Sequence, residues 1–383
     1  MSVWDKLQEN NRPHKLLALD GGGMRGVITI EILAAIEQHL QHALGRDASF
    51  VLADYFDYIA GTSTGAILAT CLSLGWRVER VRQFYHTKGK EMFDRASLFQ
   101  RFRTKFNAEP LAALLQQEIG PGTTLGSEQL KTLLLLILRN ATTDSPWPVS
   151  NNPYAKYNQL ERSDCNLHLP LWQLVRASTA APTYFPPEVI SIGERDFVFV
   201  DGGVTMYNNP AFQLFLMATV EPFRLCWPTG VENMLLVSIG TGTSPAARSG
   251  LRPDEMNLLF NAGSIPSALM FAALNEQDFL CRVFGDCLVG DPLDREVYSM
   301  IAGEKDAQGK IIGHRGPVEP KLFTYLRYNA ALTREGLDTL GLPQIKPQDV
   351  QQLDSVDHVL ELQQVGTAVA QRQVDKQHFA TFL

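Results

Sequence analysis

The stretch Lys15–Gly26, KLLALDGGGMRG, decides the fold. Its first five residues are a short apolar run that ends in Asp20 and three glycines, the pattern of a buried strand running into a tight turn. Val27–Leu44 then places Val27, Ile30, Ala34 and Ile36 or Leu40 near helical spacing, so a helix follows. The pattern repeats once. Tyr55–Ala60 (YFDYIA) runs into Gly61, and the Ala- and Leu-rich Thr62–Leu74 reads as a second helix. Strand, glycine turn and helix, twice over, imply a parallel sheet with helices packed on it.

Downstream the same grammar continues. Residues 77–119 read as mostly helical. Thr132–Leu138 (TLLLLIL) is short and followed by turn residues, which favours a central strand. The Thr-, Asp-, Pro- and Asn-rich Asn140–Asn166 reads as a long irregular connection, and Leu169–Ala181 as a helix stopped by Pro182. Phe197–Val200 (FVFV) and Met234–Ile239 (MLLVSI) are further strands, ending in Asp201-Gly202-Gly203 and Gly240-Thr241-Gly242. The motif-bearing α/β core therefore covers 15–243, and 244–383 is expected to be a mainly helical part packed on it, all within one domain over 1–383.

Composition narrows the function classes. The 383 residues are 45% apolar and 20% charged, as in ordinary globular proteins, so a disordered chain, coiled coil or collagen-like repeat is excluded. Lys+Arg 34 against Asp+Glu 41 leaves a net charge of −7, which argues against a nucleic acid polymer as partner and against constitutive attachment to an anionic membrane. Met256–Asn275 comes nearest to a charge-free span but contains Asn257, Asn261, Gly263, Ser264, Pro266 and Ser267. The polar N-terminus carries no signal-peptide pattern, which points to the cytoplasm. Five scattered cysteines without a CxxC read as reduced thiols, and no Asp/Glu/His cluster has metal-ligand spacing, so no metal is expected.

Three strand ends carry chemistry. Gly21, Gly23 and Gly26 fit G-x-G-x-x-G at a helix N-terminus, where orphan N–H groups can hold an anion. One reading is a dinucleotide fingerprint, which expects an acidic residue at the end of the second strand; here that strand ends in Gly61-Thr62-Ser63. The other is an oxyanion hole formed by Gly21, Gly22, Gly23, Met24, Arg25 and Gly26, with the amides of Gly22, Gly23 and Met24 as the first candidates. Gly61-Thr62-Ser63-Thr64-Gly65 is a G-x-S-x-G between strand and helix, where a nucleophile elbow sits; Gly61 and Gly65 permit the sharp turn. The plainer reading is that Ser63 caps the helix. Asp201, followed by Gly202 and Gly203, lies at the carboxyl end of a strand expected to be parallel, the edge where α/β proteins place their sites; alone it would be an ordinary turn residue. Asn208-Asn209-Pro210 would help hold that loop.

DGGGMRG, GTSTG and DGG, in this order and at roughly this spacing over Lys15–Thr243, resemble the patatin-like phospholipases. Leu171–Pro187 (LWQLVRASTAAPTYFPP) also resembles the segment that precedes the family's Asp strand. The resemblance implies a three-layer α/β/α fold with a mainly parallel sheet. It implies a lipid acyl hydrolase in which Ser63 is the nucleophile and Asp201 its base, with no third catalytic residue, no cofactor and a membrane phospholipid as substrate. It suggests that Arg25 supports the glycine loop or meets the lipid phosphate, although a surface helix charge is an equal reading. Of the histidines after Asp201, His314 lies in a polar loop and His358 and His378 lie in Gln/Asp-rich stretches, so a histidine triad is not expected.

Apolar stretches around Met206–Met217 and Met256–Leu274 are candidates for lipid contact, with core helices as the alternative. Compact bacterial members of the family include anti-phage effectors switched on by cyclic oligonucleotides. By that likeness a cyclic dinucleotide is a candidate activator, homo-oligomerisation a candidate consequence of activation, and the inner membrane the place of transient action. Phe99, Arg101, Phe102, Arg103, Lys105 and Phe106 form a candidate ligand surface, more plainly an amphipathic helix with a solvated basic face. The competing class is a nucleotide-binding or catalytically silent regulatory protein that uses the glycine turn for phosphate.

Overall fold

The protein is described from a computed structural model covering residues 3–8, 12–93, 110–182, 184–244, 258–294 and 296–383. The Phe99–Phe106 run lies outside the described residues, as do Met256, Asn257 and the side chains of 258–267.

Strands β1 (His14–Leu19), β2 (Tyr58–Thr62), β3 (Leu133–Asn140), β4 (Ser145–Ser150), β5 (Glu188–Ile192), β6 (Arg195–Asp201), β7 (Met234–Ile239), β8 (Asp286–Val289) and β9 (Thr324–Tyr328) make one sheet. Its order is β5-β6-β3-β2-β1-β7-β9-β8, with β4 pairing β3. The six strands from β3 through β2, β1, β7 and β9 to β8 are parallel to one another. The doubly repeated strand–turn–helix pattern thus builds the sheet it implied.

Alternation along β1 shows why its strands read as unbroken apolar runs. Leu17 and Leu19 face one core, with Ile59 of β2, Val237 of β7 and the helices Gly26–Ala43, Thr64–Ser73, Val78–Phe93 and Val359–Gln373. Leu16 and Ala18 face the other, with Tyr58, Ala60, Leu236, Tyr325 and the helix Ala211–Thr219. A parallel sheet covered on both faces keeps no polar side. These are the three layers.

Four features depart from the sequence reading. β2 starts at Tyr58 rather than Tyr55, and the helix after it starts at Thr64, so Thr62 is still strand and Ser63 stands alone at the corner. The connection 140–166 contains β4, antiparallel to β3 in spite of Pro146 and Pro148; it pairs with β3 alone, and an edge strand tolerates the missing donors. β6 is antiparallel to β3 and forms a hairpin with β5, so Asp201 does not end a parallel strand. Finally, the part after residue 244 is not only helical: β8 and β9 complete the sheet.

Candidate active site

The antiparallel course of β6 puts the acid opposite the serine. On β3, Ile137 pairs with Thr62, the last residue of β2, and the next residue, Leu138, pairs with Asp201, the last residue of β6. Two strands therefore approach head-on along one edge of β3, and their ends meet. Ser63 follows Thr62 across that junction, and its Oγ donates to Asp201 Oδ2 at 2.7 Å.

The corner at Ser63 is strained. Its φ is 54° and ψ −122°, in the positive-φ region where side chains are costly. Ser178, on the helix Leu171–Ser178, bridges the junction: its Oγ accepts from the Ser63 amide at 3.0 Å and donates to the Ile137 carbonyl at 2.6 Å. The flanking glycines are needed because backbone passes where a Cβ would stand. A Cβ on Gly61 would lie 2.0 Å from the Gly65 carbonyl oxygen, and one on Gly65 2.2 Å from that of Leu19. Gly202 is equally close to the Ile137 carbonyl oxygen, at 2.2 Å. We expect Gly61→Ala to destabilise the fold by at least about 3 kcal/mol, the upper end for overpacking, because backbone cannot yield as a side chain can. Chemical denaturation would check this; a loss below 1 kcal/mol would refute the close packing.

Asp201 is buried, and burial pushes its carboxyl up to about 6 against the Ser63 hydroxyl, the Gly203 amide and the Arg176 guanidinium, which all favour the ionised form. Its Oδ1 accepts the Gly203 amide at 2.6 Å, so Oδ2 is the oxygen turned to the serine. Ser63 itself is only half-buried. The pair is thus a desolvated carboxylate accepting the proton of a hydroxyl on a half-buried residue, an arrangement a general base and its nucleophile can use.

The glycine turn lies against this pair: a Cβ on Gly21 would stand 3.2 Å from Ser63 Cβ. Of its six candidate amides, four are already engaged. Gly21 donates to the Asn208 carbonyl, Met24 to the Leu353 carbonyl, Arg25 to Gly22, and Gly26 to Gly23 and Met24. Met24 was among the first candidates for an oxyanion donor, and its bond to Leu353 corrects that expectation. The amides of Gly22 and Gly23 have no acceptor among the described residues. Gly23, at φ 59°, is in the left-handed region that glycine adopts without strain, and a Cβ there would meet the Leu353 carbonyl oxygen at 2.3 Å.

Arg25, half-buried, contacts the loop it follows. Its guanidinium donates to the Gly22 and Gln351 carbonyls, and burial lowers its pKa to about 10 although Asp20 and Tyr184 oppose this. The tail clamps the turn through Gln351 and Leu353, a function no motif announces. Asn208 ties the segment after the acid loop to the glycine turn through its carbonyl, which accepts the Gly21 amide, while Asn209 Oδ1 accepts from the Ala211 amide and Ser238 Oγ. Besides the Asn208 carbonyl, its Oδ1 abuts Gly21 and Gly203, and Thr62 Oγ1 donates to the neighbouring Tyr207 carbonyl. The stretch Met206–Met217 divides: Met206, before the helix, is exposed just after the acid loop, whereas Leu214, Phe215 and Met217, on the helix, are core.

No histidine joins the pair. His378 Nδ1 meets the Tyr328 hydroxyl at 2.9 Å, His358 lies beside Asp349 and Glu361, and His314 is exposed. Among the described residues no group of His, Cys, Asp and Glu could hold a metal ion, and no helix is long and apolar enough to cross a membrane.

Fold and site together define a three-layer α/β protein with a serine at a strained strand–helix corner and a buried aspartate as its partner. The family model described as patatin-like phospholipase matches residues 17–215, and the chain belongs to that family. Among curated relatives, Patatin-like protein 4 of Arabidopsis thaliana is 31% identical over 337 residues, covering 74% of this chain and 80% of that one. Patatin-T5 of Solanum tuberosum is 29% identical over 246 residues, and the chain spans 60% of its length. Among solved structures, VipD from Legionella pneumophila matches at 14% identity and a TM-score of 0.38, covering 92% of this chain and 67% of that one.

Proposed function

We propose that the protein is a serine acyl hydrolase that cleaves fatty acyl esters of membrane glycerophospholipids with a Ser63–Asp201 dyad. The observation that carries this reading is the 2.7 Å bond from Ser63 Oγ to a buried carboxylate, with no imidazole between them. Asp201 takes the proton as Ser63 Oγ attacks the ester carbonyl. The amides of Gly22 and Gly23 receive the oxyanion, a contribution of about 100- to 1000-fold per donor. The same carboxyl returns its proton to the leaving lysolipid oxygen; water, deprotonated by Asp201, then attacks the acyl-serine, and the carboxyl passes that proton to Ser63 Oγ as the fatty acid leaves. A silent protein using the turn for phosphate fits less well, because it gives no reason for the strain at Ser63 or for the desolvation of Asp201.

The raised Asp201 pKa sets the test. The base must be ionised, so kcat/KM should fall below a midpoint near pH 6, by about tenfold per unit. Fatty-acid release from phosphatidylethanolamine/phosphatidylglycerol vesicles, followed from pH 4 to 9, measures this. An acid limb centred at or below pH 4, or no release at any pH either alone or with cyclic di- and trinucleotides added, would remove the reading.

Control by a cyclic oligonucleotide, and with it a role in anti-phage defence at the inner membrane, is proposed on resemblance to compact bacterial members of the family. The same vesicle assay decides it with a panel of cyclic di- and trinucleotides. A rate unchanged by every member of the panel removes it and leaves the hydrolase standing.

A further inference from the structure

One buried charge cluster remains outside the mechanism. Alternation along β9 turns Tyr325 and Arg327 to the same face, the one covered by the helix Leu258–Phe284. Across the sheet, Ala18, Ser238 and Arg327 lie in one row. Asp20 stands two residues beyond Ala18, at the last position before the glycine turn. Arg327 reaches over this row and grips Asp20 with both forks, Nη1 to Oδ1 at 3.0 Å and Nη2 to Oδ2 at 2.6 Å. Neither side chain is more than 2% exposed. Burial lowers the guanidinium pKa, but Asp20, together with Tyr325 and Asp278, outweighs it and the net direction is upward.

The same guanidinium serves the acid loop. Nη1 also donates to Ser238 Oγ at 2.7 Å, and Ser238 Oγ donates to Asn209 Oδ1 at 3.2 Å. The adjacent Asn208 is the residue whose carbonyl accepts the Gly21 amide. Behind Arg327, its Nε lies 3.9 Å from Asp278, which is itself gripped by Arg282 and by the Tyr325 hydroxyl. Arg327 therefore has a carboxylate nearby at the rear, without a hydrogen bond from its Nε, and holds both halves of the site from the front.

We propose that Arg327, acting through Asp20, is a positioning residue for catalysis: it sets the direction of the Gly22 and Gly23 amides relative to Ser63. This rests on the hydrolase reading above. Two features separate it from a generic core ion pair. Asp20 adjoins the turn directly, and a bidentate fork fixes orientation as well as distance, which a point charge does not. The pair touches no substrate atom, so its effect should fall on the transition state, where the oxyanion develops, and not on ground-state lipid binding.

The test uses the full chain with Arg327→Lys, Arg327→Met, Asp20→Asn and the double variant Asp20→Asn/Arg327→Met. Active sites are titrated with a fluorophosphonate, so that rates refer only to folded, competent protein. Per titrated site, Arg327→Lys and Asp20→Asn should lower kcat about 10- to 100-fold with KM within about twofold, less than outright loss of a donor. Affinity for an alkylboronic acid, which forms a tetrahedral adduct on Ser63, should fall by the same factor, while binding of a non-hydrolysable diether phospholipid stays unchanged. The neutral double variant should recover part of the thermal stability lost in Asp20→Asn, because it leaves no buried charge unpaired, but not the lost kcat, because the fork is gone. Wild-type kcat and boronate affinity per titrated site in Arg327→Lys and Asp20→Asn would overturn the proposal, even if both variants melt earlier. If Arg327→Met does not fold, these two single variants decide alone. Wild-type protein that fails to label or to turn over would instead indict the hydrolase reading.

Discussion

Replacing Ser63 by alanine is expected to reduce fatty-acid release from phospholipid vesicles by roughly 10⁴-fold or more, the scale on which serine hydrolases lose rate without their nucleophile. The two flanking hydroxyls are already engaged. The Thr62 hydroxyl donates to the Tyr207 carbonyl, and Thr64 Oγ1 is bound to the Tyr85 hydroxyl. The Gly22 and Gly23 amides remain, so the residual rate should be that of water attack on an ester held in the oxyanion site. Glycine at the same position should abolish activity equally but stabilise the fold relative to alanine. The corner at φ 54° and ψ −122° costs any side chain about 1–3 kcal/mol that glycine escapes. Denaturation of the two variants side by side, with hydrolysis measured on each, checks both statements. Hydrolysis retained in Ser63→Ala would end the dyad assignment.

Asp201→Asn is expected to trade activity for stability. The amide cannot take the serine proton, so kcat should fall roughly 10³- to 10⁴-fold, near the top of the range for general-base catalysis. The fold should gain. A carboxyl whose folded pKa lies above its unfolded one binds its proton more tightly in the native state. Folding stability from this group is therefore full below pH 3.8, declines as pH rises to about 6, and stays reduced above it. The difference of about two pH units corresponds to about 3 kcal/mol at neutral pH. Asparagine keeps the acceptor for the Gly203 amide without the buried charge, so it should recover a large part of that cost. Thermal melts at pH 7.5 and pH 4 measure this. A higher Tm for Asp201→Asn at pH 7.5, shrinking toward pH 4, is expected. A lower Tm at pH 7.5 would show that the carboxylate is held by more than its three recognised partners.

The net charge of −7 bears on how such a site meets lipid. Permanent electrostatic docking on an anionic surface is unfavourable for this chain. Val204 and Met206, exposed on the loop directly after Asp201, offer apolar contact at the acid side of the site instead.

The chain itself displayed the candidate catalytic residues and four of the parallel strands of the central sheet. Short apolar runs ending in glycine turns have few physical solutions, and β1, β2, β3 and β7 all lie where such runs occur. The roles of Gly61 and Gly65 were legible from the turn they must make, whereas the passage of Gly202 against the Ile137 carbonyl was not. What lay beyond local pattern was decided by pairing. The two prolines of β4 and the mixed polarity of β5 hid edge strands, and only the ladder with β3 shows that β6 runs antiparallel and meets β2 head-on. Whether a glycine-loop amide is free depends on what packs against it, and the carbonyl that engages Met24 comes from Leu353, 329 residues away in the chain. Arg327 was equally hidden. It looks like one charge in a short aromatic segment until β9 takes its place beside β7 and the fork closes on Asp20. Nearest-neighbour sequence specifies which atoms can do chemistry; long-range pairing and burial specify which of them remain free, charged and aimed to do it.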